Sequence, residues 1–179
     1  MAFKNYIEKY RLWIAGVAAI FFVWFFFFRG DGSLTQSQFE EKLKSDSGGK
    51  ITVTKGEISP ISKGNGLYMG EWNGLKISAK ADENRNILPP YWVVTPPAGL
   101  MDEIALGQYQ ELIQYVSMIA DPSLSSKDAQ HLINNELNFN NQIMTGEDHS
   151  TTKNNYKYEL SGGGKETTWF SFMIVKDDK

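Results

Sequence analysis

Cysteine is absent from the 179 residues. That excludes a disulfide framework, a thiol nucleophile, a zinc knuckle and a lipid-modified cysteine, and it leaves packing to hold the fold together. Histidine is nearly as scarce, with His131 and His149 alone. Zinc wants three or four ligands, and a serine triad needs a histidine base steadied by a third group. His131 falls on the polar side of a helical pattern. Glu147, Asp148 and His149 adjoin, but no second cluster at fixed spacing completes a metal set. Nucleophile-elbow, EF-hand, dinucleotide-binding and Walker patterns are all missing. Glu57 and Glu71 could pair across strands, as scattered acids do in any acidic protein. No residue stands out as catalytic, cofactor-binding or metal-ligating, so the expectation is a protein without enzyme activity, cofactor or metal. Basic excess is lacking too. The chain carries a net charge of −3, and residues 33–179 are more acidic than the whole. That argues against nucleic acid as a partner, which calls for a positive field.

What is present, first of all, is a run without formal charge. Residues 12–28 read LWIAGVAAIFFVWFFFF. As a helix this run is about 26 Å long at ~1.5 Å per residue, the short limit for a ~30 Å hydrocarbon slab. Arg11 and Arg29 can snorkel at its two ends. Trp13 suits a membrane interface, and Trp24 lies one turn inside the other. Phe25, Phe26, Phe27 and Phe28 leave no polar face, and they put bulk where a signal peptidase would need small residues. The expectation is an uncleaved, single-pass transmembrane anchor over 12–29. Lys4, Lys9 and Arg11 outweigh Glu8 before it, while Arg29 and Asp31 cancel after it. The positive-inside rule then places residues 1–11 in the cytoplasm and the C-terminal domain outside the cytoplasmic membrane. Arg29-Gly30-Asp31 spells an adhesion-like tripeptide, but so close to the bilayer it is read as chance.

A short joint over 30–34 leads into an extracytoplasmic domain over 35–179. Thr35 and Gln38 form a capping-box pattern, Phe39 and Leu43 share a helix face, and Ser47-Gly48-Gly49 stops the helix. Ile51 and Val53 alternate with Thr52 and Thr54 as in a half-buried strand. Ser59-Pro60 and residues 63–66 interrupt the next stretch. Asn73-Gly74 between two extended runs is the strongest hairpin signal in the chain. Residues 91–95 form a short strand bracketed by Pro89-Pro90 and Pro96-Pro97, which points to an edge or a crossing element. The longest helix runs over about 100–120, its stripe made by Ala105, Leu106, Tyr109, Leu112, Ile113, Val116, Ile119 and Ala120. Asp121-Pro122 ends it. Ser125 or Ser126 caps a second helix over about 127–137, completing an αα-hairpin. Residues 138–155 read as a long polar loop. A closing hairpin comes next, with Tyr156, Tyr158 and Leu160 on one strand. On the other strand Phe170, Phe172 and Ile174 face one way, while Trp169, Ser171, Met173 and Val175 face the other. With apolar residues on both faces, that last strand belongs inside a sheet or under a helix. Helices segregated from antiparallel strands define an α+β class: a transmembrane helix, then an antiparallel sheet packed with a long helix and an αα-hairpin.

Strand period cannot turn all of Tyr68, Trp72, Tyr91, Trp92 and Trp169 inward, and Tyr91 and Trp92 must face opposite sides. Exposed Tyr and Trp are typical anchors of protein interfaces. These five are the candidate interface residues, and Trp13, Trp24 and Phe25 to Phe28 are the anchor residues. The expected partners are the lipid bilayer and another membrane or envelope protein. The leading function is a binding or assembly module, such as an accessory subunit of a secretion, conjugation or envelope complex. The alternatives are an immunity or inhibitor protein of the cell envelope and a small envelope hydrolase.

Overall fold

The computed structural model describes residues 33–95, 103–163 and 170–177. The anchor expected over 12–29 lies outside them. Among the described residues no helix is long and apolar enough to cross a membrane.

The first strand, β1 (Leu34–Thr35), hands the chain to α1 (Gln36–Asp46). The capping box forms as its residues dictate: Thr35 accepts from the Gln38 N–H, and Gln38 accepts from the Thr35 N–H at 2.9 Å. Such a cap stabilises by about 1 kcal/mol. Ser47 closes the helix, and Gly48 and Gly49 follow at positive φ. Phe39 and Leu43, one turn apart, are fully buried.

Four strands continue the chain as a meander: β2 (Thr54–Ser62), β3 (Asn65–Trp72), β4 (Leu75–Asp82) and β5 (Asn86–Val94). Asn73 and Gly74 have φ of 49° and 81°, so the β3–β4 turn is the primed hairpin that Asn-Gly favours. Two expectations need correcting here. Ile51–Val53 precede the strand, and β2 starts at Thr54 and runs through Pro60 instead of stopping there. It can do so because it is an edge, with its register against β3 shifting around Thr54–Glu57 and Pro60–Ser62. The strand read as 91–95 is longer and central. It begins at Asn86 and crosses Pro89-Pro90, lying between β4 and the last strand, β8 (Phe170–Lys176). On its β4 side Ala79 pairs with Tyr91 but Lys80 pairs with Leu88, so both prolines fall in a bulge. On its other side β1 pairs up to Ile87 and β8 starts at Tyr91. No neighbour asks either proline for the N–H it lacks.

Next come α2 (Glu103–Ala120) and α3 (Ser126–His131), the latter continuing as a π-helical turn over Leu132–Glu136. The Ser125 hydroxyl accepts from the Asp128 N–H and caps α3. Tyr109, Leu112, Ile113, Val116 and Ile119 of the α2 stripe are buried. The span 138–155 is not a loop, as expected from its polarity. It holds α4 (Phe139–Thr145) and β6 (His149–Lys153). Phe139 is buried and Ile143 packs against the core. Asn154 and Asn155, both at positive φ, turn β6 into β7 (Tyr156–Gly162), which pairs with β8 (Phe170–Lys176).

The result is an α+β unit over Leu34–Lys179. Its single antiparallel sheet has the order β2-β3-β4-β5-β8-β7-β6, with β1 beside β5. The inner residues Tyr68, Ile77, Tyr91, Val93, Phe172, Ile174, Tyr158 and Leu160 form one core with the buried faces of the helices. Phe39 is its hub. Its ring stacks on Tyr91 at 5.8 Å and meets Tyr68 edge-on at 5.4 Å. Gly70 leaves room for the end of the Tyr68 side chain, because a Cβ there would stand 2.6 Å from the Tyr68 hydroxyl and 2.7 Å from Val53. Burial raises the pKa of Tyr68, Tyr91, Tyr109 and Tyr158, with Glu40 adding to the effect at Tyr68 and Asp121 at Tyr158.

Phe39→Ala should cost about 3–5 kcal/mol, the range for emptying a buried phenylalanine site, read from urea unfolding. A second outcome concerns Asp82, which accepts from the Asn86 N–H at 2.8 Å, the Asn86 amide at 2.8 Å and the Asn84 N–H at 2.9 Å. The backbone bond from Asn86, then its side-chain bond, hold the Asp82 pKa below 3.8. A lowered native value gives stability that is full above the unfolded value and disappears as pH falls through the native one. Asp82→Asn should therefore melt lower than the unaltered protein at neutral pH, with the gap closing below pH 3.8.

Candidate functional site

Alternation along each strand sorts this sheet into two unlike faces. One joins the core. The other carries Leu67, Met69, Trp92, Val94, Met173 and Val175, none of which belongs to the core cluster. Met69 is 42% exposed, and the other five are half-buried. Register brings them together. Met69 pairs with Ser78, Ser78 with Trp92, Trp92 with Met173, and Met173 with Glu159. Beside this row Val94 pairs with Lys76 and Ser171, and Val175 pairs with Lys157. Trp92 lies on β5, the middle strand of the path. Charge enters this face as well: exposed Lys76 and Lys80 flank Ser78 on β4, and the ion pairs Lys55–Glu71 at 3.5 Å and Lys157–Glu159 lie to either side. Tryptophan and methionine are both enriched in protein-binding patches.

The five candidate aromatics separate under this geometry. Tyr68 and Tyr91 are buried beneath the helices, and Trp72 is 7% exposed. Trp92 alone of the four described stands on the open face. Trp169 lies outside the described residues, as do Trp13, Trp24 and Phe25 to Phe28. Tyr91 and Trp92 do face opposite ways, as strand period requires. Sequence reading put Met173 and Val175 on one face of the last strand but did not join them to Trp92, and it did not single out Met69 or Val94. Their signal was the odd positions of β3 and β8, Leu67-x-Met69 and Ser171-x-Met173-x-Val175, which become a face only once β5 joins them.

Two polar clusters were also missed. Asp121 is 3% exposed. It accepts from the Ser123 N–H at 3.0 Å, the Asn154 amide at 2.8 Å and the Tyr158 hydroxyl at 3.3 Å. These donors tie the α2–α3 turn to the β6–β7 turn and surround the carboxylate, which suits a clasp and not a reaction. Glu136, at the end of the π turn, accepts from the Thr151 hydroxyl at 3.0 Å and lies 3.7 Å from Lys153 and 3.5 Å from His131. The His131 side chain is 62% exposed. His149 begins β6. Among the described residues no group of three or more His, Cys, Asp or Glu gathers as metal ligands would.

Trp92→Ser should cost about 1–2 kcal/mol, since only part of the ring leaves water, and clearly less than Phe39→Ala in the same urea titration. An equal loss would make Trp92 a core residue. Comparison of the chain with protein-family models, with curated proteins and with solved structures found no match, so the chemistry of this face alone points to its use.

Proposed function

We propose that the chain is a membrane-tethered binding or assembly module, without catalysis of its own, whose domain works outside the cytoplasmic membrane. One observation carries this reading: the Trp92-centred apolar face in the middle of the sheet. A tryptophan left on the sheet face that the helices do not cover is the kind of residue that anchors a protein interface. A tryptophan paired with a methionine, as Trp92 is with Met173, is an adaptable hot spot, the ring giving area and the thioether fitting different shapes. The charge-free run over 12–28 supports the tether, and the flanking charge supports the orientation. A tether raises the effective concentration of the face toward proteins of the same membrane, so a modest intrinsic affinity suffices. An accessory subunit of a secretion, conjugation or envelope complex fits this description.

A photo-cross-linking residue placed at Trp92 in the full chain, activated in intact membranes, should give one dominant adduct with a membrane or envelope protein. The same residue at Glu41, on the exposed side of α1, should give much less. Equal adducts at both positions, or none at Trp92, would sink the binding reading. A C-terminal tag that stays shielded from protease until the bilayer is opened would reverse the assigned orientation.

A further inference from the structure

We propose that β6, the last strand along the sheet, pairs antiparallel with the same strand of a second copy of this chain, so that two domains share one continuous sheet. The inference goes beyond the Trp92 reading and does not depend on it. Among the described residues the strand partner of β6 is β7, and no further strand lies along its other side. The phase of the ladder follows from the neighbouring strands. Asn155 accepts from the Asp177 N–H at 2.7 Å. Asn155, Lys157 and Glu159 therefore turn their backbone polar groups toward β8, and Tyr156, Tyr158 and Leu160 turn theirs toward β6. The register partners of those three are Lys153, Thr151 and His149. Ser150 and Thr152 are left with N–H and C=O groups directed outward, and both residues are exposed.

The two margins of the sheet are unlike. β2 contains Pro60, and its register shifts twice. β6 pairs with β7 over all 5 of its residues without a shift and contains no proline. Its one lysine, Lys153, stands at the turn end. A regular row of free donors and acceptors is a template for another strand.

The sequence of β6 says which strand. Ser150-Thr151-Thr152 reads nearly the same in both directions. With Thr151 on a twofold axis, Ser150 stands opposite the partner's Thr152, and Thr152 opposite the partner's Ser150. These are the residues with outward groups, so each pair exchanges two N–H···O bonds. The side chains agree. Serine and threonine hydroxyls meet on the side of Lys157 and Glu159, and Thr151 meets the partner's Thr151 on the side of Tyr158, both favourable cross-strand pairs. Lys153 would stand across from the partner's His149, and its charge is already met by Glu136 at 3.7 Å. A foreign peptide would find little to recognise here. Strand-addition sites read alternate side chains through pockets, and this border offers hydroxyls and the charged Lys157 and Glu159. A twofold pairing uses the same strand in both copies and is complete at two. It also sets both Trp92 side chains on the same face of the shared sheet, roughly 34 Å apart, counting strand spacings at ~4.8 Å.

The absence of cysteine makes the test direct. In the full chain, Thr151→Cys places two thiols at a non-hydrogen-bonded pair, where Cα atoms are about 4.5 Å apart and a disulfide can close. Mild oxidation in intact membranes should convert this variant to a disulfide dimer several-fold more than Glu57→Cys on β2 or Ser150→Cys, whose opposite residue is Thr152. Adding Thr152→Pro to Thr151→Cys removes an outward N–H and leaves the β7 ladder whole. It should cut the dimer several-fold while the near-ultraviolet circular dichroism of the purified chain stays native. Thr151→Cys that cross-links no better than Glu57→Cys would overturn the proposal. So would equal dimer from Ser150→Cys, which means collision without register, or a dimer that survives Thr152→Pro. A mixed disulfide with another protein in place of the dimer would assign the border to a foreign strand and overturn it as well.

Discussion

Phe39 sits where α1, β3 and β5 converge, stacked on Tyr91 and edge-on to Tyr68. This aromatic contact does more than fill space. It binds the first helix to the middle strand of the sheet, together with the two-residue pairing of β1 to β5. The N-terminal side of the domain is thereby set at one end of the sheet. The covered face is also organised around it: Tyr91 looks inward against Phe39, so its neighbour Trp92 must look outward. One pair of adjacent aromatics divides the duties of core and surface between them.

Much of this was legible residue by residue. The Thr35–Gln38 box, the Asn73-Gly74 turn, the α2 stripe and the alternation of Phe170, Phe172 and Ile174 are local patterns, and each became the element it implied. Apolar residues on both faces of β8 implied a place inside a sheet or under a helix, and it lies between β5 and β7. The failures share a cause. Proline at 60 and at 89–90 reads as a strand breaker unless one knows which N–H groups have a partner waiting, and that is a property of the assembled sheet. Polar composition over 138–155 hid a helix held by Phe139 and Ile143 and a threonine-rich edge strand. Both draw their stability from neighbours and not from themselves. The buried state of Tyr68, Trp72 and Tyr91 was hidden in the same way, because strand period separates two faces without saying which one the helices will cover.

Lacking disulfides, the domain uses polar ties in place of cross-links, buried at Asp121 and half-buried at Glu136 and Glu40. Asp121 gathers donors from its own turn and from β6–β7. Glu136 reaches Thr151 on the edge strand. The Glu40 carboxylate accepts from the Tyr68 hydroxyl at 3.1 Å and from the Gln36 amide at 3.0 Å, while that amide also donates to the Gly56 carbonyl at 2.8 Å. Each joins elements far apart in sequence. A low-dielectric setting makes an unpaired group there costly, so such ties favour one arrangement of the helices over others.

The outer margin formed by β2 has a consequence for copies that crowd together. Pro60 offers no N–H, Lys55 takes a positive φ, and the register shifts twice. A neighbouring sheet therefore finds no straight ladder of donors and acceptors along this border. Open-ended stacking into fibrils is disfavoured there by backbone geometry alone, which leaves the apolar middle of the sheet free to stay greasy without inviting polymerisation from that side.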